Sequence, residues 1–200
     1  MTKTVDFIFD VGSPNAYLVH KLVPGIEART GDRFTYIPCL LGGIFKATGN
    51  QAPFTAFAGI KGKIEYERLE MQRFVERHNL TAFSFNPHFP LNTLLMMRGA
   101  IVAEQDGILM PYIDAILHHM WEAQKKMDDP QVVAAALTES GLNGEDIVSR
   151  TQGDAVKARL VANIEAAVAR GAFGIPTFFV GDEIFFGKER LGQVEELLSA

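Results

Sequence analysis

The chain has 200 residues, of which 48% are apolar and 22% charged, with a formal net charge of -5. That balance suits one large domain, or a domain with a sizeable insertion, that buries a real core, and the scattered basic residues give no reason to expect nucleic acid as a partner. Cys39 is the single cysteine, which excludes an intrachain disulfide, a CxxC redox pair and a multi-cysteine zinc site.

Residues 3–10 alternate as a strand, with Val5, Phe7 and Phe9 on one face. Ser13 then offers a hydroxyl helix cap and Pro14 sits at the first helical position, where its missing N–H costs nothing. Tyr17, Leu18, Lys21 and Leu22 keep helical spacing up to a stop at Gly31, and Phe34-Thr35-Tyr36-Ile37 reads as a second strand. The three elements make a βαβ unit with an expected right-handed crossover. From Leu41 to Pro53 the chain is rich in Gly and apolar residues and reads as turns, at Gly42-Gly43 and at Thr48-Gly49-Asn50.

Helical patterns fill the middle of the chain. Candidates run from Ile64 to His78, from Asn92 to Gln105, and along the stripe Tyr112, Ile113, Ile116, Leu117, Met120 and Trp121. Asp129-Pro130 opens a further helix that Gly141 closes, and Val156, Leu160, Ile164 and Val168 stripe a long one ending near Gly171. Phe178-Phe179-Val180 and Ile184-Phe185-Phe186 flank Gly181-Asp182-Glu183 as a hairpin, and a last helix is expected from Lys188. No signal-type run precedes the first strand, and the apolar runs fall short of the ~18 to 20 residues of a membrane span. A cytoplasmic setting with no membrane partner is therefore expected.

Strand, helix and strand, then a block of helices, then two strands and a helix is the order of an α/β, thioredoxin-like domain carrying a helical insertion. Residues 1–50 and 170–200 would form the discontinuous thioredoxin-like domain and residues 51–169 the insertion. In that fold a strand-to-helix turn faces an Ile-Pro-Thr bend, and redox members place a reactive cysteine at the turn. Here Ser13 stands there and Ile175-Pro176-Thr177 supplies the bend. As an isolated feature Ser13 is an ordinary helix cap. A helix N-terminus also stabilises an anion, and a thiolate beside Ser13 would take the hydroxyl proton and helix N–H groups. A cysteine thiol titrates at about 8.5, and such a site lowers that by one unit or more. Pro176 serves equally as a strand-start proline. A cis Ile175-Pro176 bond would instead turn the Ile175 backbone outwards to pair with a bound peptide.

Cys39 reads as a small buried hydrophobe. His118 and His119 are adjacent on a helix and do not share a face, so they form no metal pair, and no metal site is expected. No HExxH, EF-hand, Walker or GxSxG pattern occurs.

Four segments carry a family resemblance. Phe9-Asp10-Val11-Gly12-Ser13-Pro14-Asn15-Ala16-Tyr17-Leu18 resembles the opening motif of the 2-hydroxychromene-2-carboxylate isomerases and kappa-class glutathione transferases. Leu40 to Asn50 is similar to their loop ahead of the helical domain, and Gly171 to Thr177 and Phe186 to Leu191 to their two closing motifs. The resemblance implies glutathione as the cofactor. Ser13 would contact its sulfur, the Ile175 backbone would hold the cysteinyl part, and Lys188 and Glu189 would receive the γ-glutamyl end, with Pro176, Gly187 and Arg190 also among the glutathione-binding residues. Glu189 replaces the aspartate expected there, and Arg190 would orient Glu189 or meet a carboxylate. Asn50 and Pro53 match positions beside the second-substrate pocket but also suit a turn. Lys46 would meet a substrate carboxylate or stay solvated. Phe89 would line the same pocket, and Asn92 reads as a cap.

The resemblance implies an isomerase that acts on aromatic-pathway acids by reversible thiol addition, assembled as a homodimer. The alternatives are a transferase that leaves the thiol on an electrophile and a non-catalytic module that binds peptides or glutathione.

Overall fold

The computed structural model describes residues 3–199; Met1, Thr2 and Ala200, which the domain ranges above include, lie outside them. Strand β1 (Thr4–Phe9) leads into helix α1 (Pro14–Thr30) and strand β2 (Arg33–Pro38). Helices α2 (Leu41–Thr48), α3 (Pro53–Ala56), α4 (Lys63–Arg77), α5 (Leu94–Gln105), α6 (Leu109–Trp121), α7 (Pro130–Glu139), α8 (Gly144–Arg150) and α9 (Asp154–Ala169) follow. Strands β3 (Thr177–Val180) and β4 (Glu183–Phe186), a 3-10 turn (Lys188–Arg190) and helix α10 (Leu191–Ser199) close the chain. The sheet order is β2-β1-β3-β4, with β1 parallel to β2 and antiparallel to β3, and β3 antiparallel to β4.

The sheet core is aromatic. Phe7 stacks on Phe178 with ring centroids 5.2 Å apart, and Tyr36 meets the edges of Phe7 and Phe9 at 4.9 and 5.5 Å. Full burial of side chains of this size stabilises by about 1.5 to 3 kcal/mol each. In the helical region α5 is the inner helix, burying Met96, Met97 and the run Gly99–Ala103. Helix α4 is the opposite case: none of its residues is buried.

Helix α1 starts and stops as the sequence predicts. The Ser13 side chain accepts from the Ala16 N–H at 3.2 Å, and Gly31 ends the helix at φ 77°. Asp129 likewise caps α7 by accepting from the Gln131 N–H. Three segments differ from expectation. The stretch read as turns after Leu41 is helix α2, the short helix α3 follows it, and α8 arises where no element was expected. At Gly43 a Cβ would lie 2.7 Å from Cδ1 of Ile164, and at Gly144 it would lie 2.0 Å from the Ala134 carbonyl oxygen. Both glycines permit close approach between elements; at Gly43 the sequence suggested a chain reversal instead. The last helix begins as a 3-10 turn at Lys188 and becomes α-helical only from Leu191.

Candidate active site

The β1–α1 turn is held from several sides. The Val11 carbonyl accepts from Trp121 Nε1 at 2.8 Å, and the Val11 N–H donates to Met97 Sδ at 3.4 Å. The Asp10 carboxylate accepts from the Gly12 N–H at 2.8 Å, from the Leu41 N–H at 2.8 Å and from the Thr93 hydroxyl at 3.0 Å. Burial raises the Asp10 carboxyl above the usual range, against the lowering effect of those three donors. Trp121, Met97 and Thr93 all come from the central helical region, so that region fixes the turn carrying Ser13.

Ser13 is 5% exposed, and its hydroxyl lies 3.5 Å from the Ile175 carbonyl oxygen. This is a long contact, readily exchanged for a stronger acceptor. No histidine or carboxylate bonds to Ser13 among the described residues. The Ile175–Pro176 bond is cis, as is Phe89–Pro90. Ile175 is 6% exposed, and its N–H has no acceptor among the described residues. The Gly187 N–H donates to the Pro176 carbonyl at 2.9 Å, so the bend is tied directly to the turn that begins α10. Gly187 sits at φ 93°, and a Cβ there would come within 2.9 Å of Glu189 Oε2. Ser13, Ile175, Pro176, Gly187, Lys188 and Glu189 thus form one connected edge.

Lys188 is 3% exposed; its ammonium pairs with Glu189 and lies 5.3 Å from the centroid of the Phe74 ring on α4. The carboxylate of Glu189 therefore meets Lys188, whereas Arg190 is exposed and makes no ion pair among the described residues. A groove of about 800 Å³ runs past this pair between α1, α4 and α10, lined among others by Leu22, Phe74, Arg77 and Leu191.

On the other side of the turn, Phe89 joins an aromatic cluster with Phe54, Phe85 and Trp121, at centroid distances of 5.8, 5.1 and 6.0 Å. Phe54 and Phe85 are 46% and 44% exposed, which leaves an apolar surface two residues from Ser13 through the Trp121–Val11 bond. Pro53 opens α3 beside Phe54, and Asn50 Nδ2 lies 3.5 Å from the Phe173 carbonyl. Lys46 is exposed on α2 without an ion pair among the described residues. Asn92 accepts from the Leu94 N–H at 3.0 Å, but it is not the cap the sequence suggested: the N-cap of α5 is Thr93, one residue later, whose hydroxyl is turned to Asp10 instead. Asp10, Thr93, Trp121, Phe54 and Phe85 received no role from sequence. The one local signal was an aspartate ending an apolar strand.

Cys39 is fully buried, and burial pushes its thiol up to about 12, with the Asp10 charge adding to the effect. His119 is 2% exposed, and burial lowers its pKa; its Nε2 meets the Ser140 hydroxyl at 3.0 Å. Among the described residues no group of three or more His, Cys, Asp or Glu side chains could hold a metal ion, and no helix is long and apolar enough to cross a membrane.

A serine-capped turn facing a cis-proline bend, on a four-stranded mixed sheet with intervening helices, defines a thioredoxin-fold protein. The family model of the DSBA-like thioredoxin domain matches residues 4–199, and the chain belongs to that family. It is 27% identical over 202 residues to 2-hydroxychromene-2-carboxylate isomerase of Sphingobium xenophagum, covering 99% of each chain. It is 24% identical over 207 residues to glutathione S-transferase kappa 1 of Rattus norvegicus, covering 98% of this chain and 91% of the relative. A solved structure of 2-hydroxychromene-2-carboxylate isomerase aligns with a TM-score of 0.80 at 25% identity, covering 98% of this chain and 94% of that one. These likenesses bear out the resemblance read from the four motifs, and they support an isomerase- or transferase-type activity.

Proposed function

We propose that the chain is a glutathione-dependent isomerase acting on 2-hydroxychromene-2-carboxylate-like aromatic acids, working as a cytoplasmic homodimer. The observation that carries this reading is the buried Ser13 hydroxyl at the N-terminus of α1, 3.5 Å from the carbonyl of a residue whose N–H lacks an acceptor. Likeness to named isomerases over nearly the whole chain supports it.

The residues present fit glutathione. The Ile175 backbone offers a free donor beside its carbonyl, as recognition of an extended peptide requires. Lys188 and Glu189 offer one positive and one negative partner for the zwitterionic γ-glutamyl end. When bound, glutathione supplies a thiol that adds reversibly to the unsaturated acid and leaves after bond rotation.

The protein's part is to hold and bias. Ser13 donates its hydroxyl proton to an anionic sulfur, and the first turn of α1 adds its dipole. With no base bonded to it, Ser13 is not equipped as a nucleophile. The exposed faces of Phe54 and Phe85, backed by the half-buried Phe89, offer stacking surface to an aromatic ring. Lys46 offers a cation to the acid's carboxylate.

The test is interconversion of purified 2-hydroxychromene-2-carboxylate with its ring-opened isomer, followed by ultraviolet absorbance with and without glutathione. Turnover that requires glutathione and regenerates it in full supports the isomerase. Stoichiometric loss of free thiol favours the transferase, which the likeness to the kappa enzyme keeps as the second reading. Tight glutathione binding with no turnover of either kind would leave a binding module.

A further inference from the structure

We infer that Asp10 is the positioning residue that couples the two halves of the site, holding the Ser13 turn and the α2 segment in one fixed relation. The inference rests on the function proposed above for what the halves do, and on geometry alone for their coupling.

Helix α2 has no side-chain cap of its own: its N-cap residue is Leu40, which offers no acceptor. The missing acceptor comes from β1, because Asp10 takes the Leu41 N–H at 2.8 Å. The other carboxylate oxygen takes the Gly12 N–H at 2.8 Å, immediately before Ser13. The Asp10 backbone carbonyl accepts the Ser13 N–H at 3.0 Å, and Thr93 donates its hydroxyl to the oxygen that serves Leu41. Asp10 is 1% exposed, so water offers these donors no replacement. One carboxylate therefore binds the thiol-side turn, the helix carrying Lys46 and leading to Asn50 and Pro53, and the entry to α5.

Both oxygens face donors only, an arrangement that suits a carboxylate and leaves no acceptor for a proton. An asparagine would turn its NH₂ towards one of the N–H donors, and because both segments are tied through this one side chain, the strained contact loosens both. Cys39 is the titratable group that bears on Asp10 among the described residues, and its thiol stays protonated at neutral pH.

The experiment compares full-length wild type with Asp10→Asn, Thr93→Val and Thr93→Ser. Amide hydrogen exchange needs no ligand. Asp10→Asn should speed exchange by roughly tenfold or more at both Gly12–Ala16 and Leu41–Ile44, since lost anchoring frees local opening. Thr93→Val should do so partially and Thr93→Ser should restore protection; this pair keeps the coupling testable should Asp10→Asn not fold. Faster exchange confined to one of the two segments overturns the coupling, as does no change in either.

The second arm adds glutathione and titrates its thiol by ultraviolet absorbance. Asp10→Asn should raise the bound thiol pKa by about half a unit or more, because the loosened turn no longer holds the Ser13 hydroxyl against the sulfur. It should also raise KM for the chromene acid several-fold while glutathione affinity stays within about twofold, the γ-glutamyl end being held at Lys188 and Glu189. An unchanged or lowered thiol pKa overturns the positioning of Ser13 by Asp10. If wild type itself binds no glutathione, the proposed function fails, and the exchange arm alone decides the coupling.

Discussion

Replacing Ser13 with alanine separates a structural role from a chemical one. The side chain accepts from the Ala16 N–H at 3.2 Å, so its loss removes an N-cap worth about 1 kcal/mol of stability. That loss is expected whether or not the residue has a chemical function. The hydroxyl proton is committed only to the Ile175 carbonyl at 3.5 Å, and it is free to be re-aimed at an anionic sulfur. A hydrogen bond to a charged group contributes about 1.5 to 3 kcal/mol, and one pKa unit corresponds to about 1.4 kcal/mol. Ser13→Ala should therefore raise the pKa of bound glutathione by about one to two units, towards its solution value. Thiolate absorbance of the complex, titrated in wild type and variant, measures this, with thermal melts recorded alongside. Isomerisation at neutral pH should slow by roughly tenfold, as the thiolate fraction falls. If stability drops by the capping amount while thiol pKa and turnover stay unchanged, Ser13 is only a cap and the thiol site lies elsewhere.

The remaining predictions use other parts of the molecule. Glu189→Gln should weaken glutathione binding by about 1.5 to 3 kcal/mol in calorimetry, the scale of a charge-assisted hydrogen bond; unchanged affinity would mean that Glu189 serves only Lys188. Cys39, buried with its thiol near 12, should resist thiol reagents until the chain unfolds, and insulin reduction should not exceed the uncatalysed rate. Gly12→Ala should destabilise by about 1 to 3 kcal/mol in denaturant unfolding, because its Cβ would meet Thr93 Cγ2 at 2.5 Å. Burial alone would raise the Glu122 carboxyl, but hydrogen bonds from Lys21, His118 and Tyr17 outweigh it and hold the group at about 2, below its ordinary 4.5. Its folded pKa is depressed, so it stabilises fully above about 4.5 and loses that contribution as pH falls towards about 2, at most about 3 kcal/mol. Glu122→Gln should flatten the acid limb of a stability–pH profile over that window, and an unaltered limb would refute the assignment.

Much of this protein is set by local chemistry and so could be read from sequence. The Ser13-Pro14 start and Gly31 stop of α1, the Asp129-Pro130 start of α7 and the aromatic hairpin of β3 and β4 depend on backbone propensities within a few residues. The order of elements follows from these and implies the thioredoxin-like class. Tertiary structure alone decided the rest. Helix α2 forms across a Gly-Gly pair because its cap is supplied by Asp10, 31 residues earlier, and because Gly43 lets Ile164 approach. The partner of Glu189 is Lys188, whose buried ammonium also faces the Phe74 ring of α4, while Arg190 is exposed. The aromatic surface beside Ser13 gathers Phe54, Phe85, Phe89 and Trp121 from separate segments. Sequence patterns report the face an element buries, because that depends on local periodicity. They do not report which distant carboxylate will satisfy an orphan N–H, because that depends on how the elements dock.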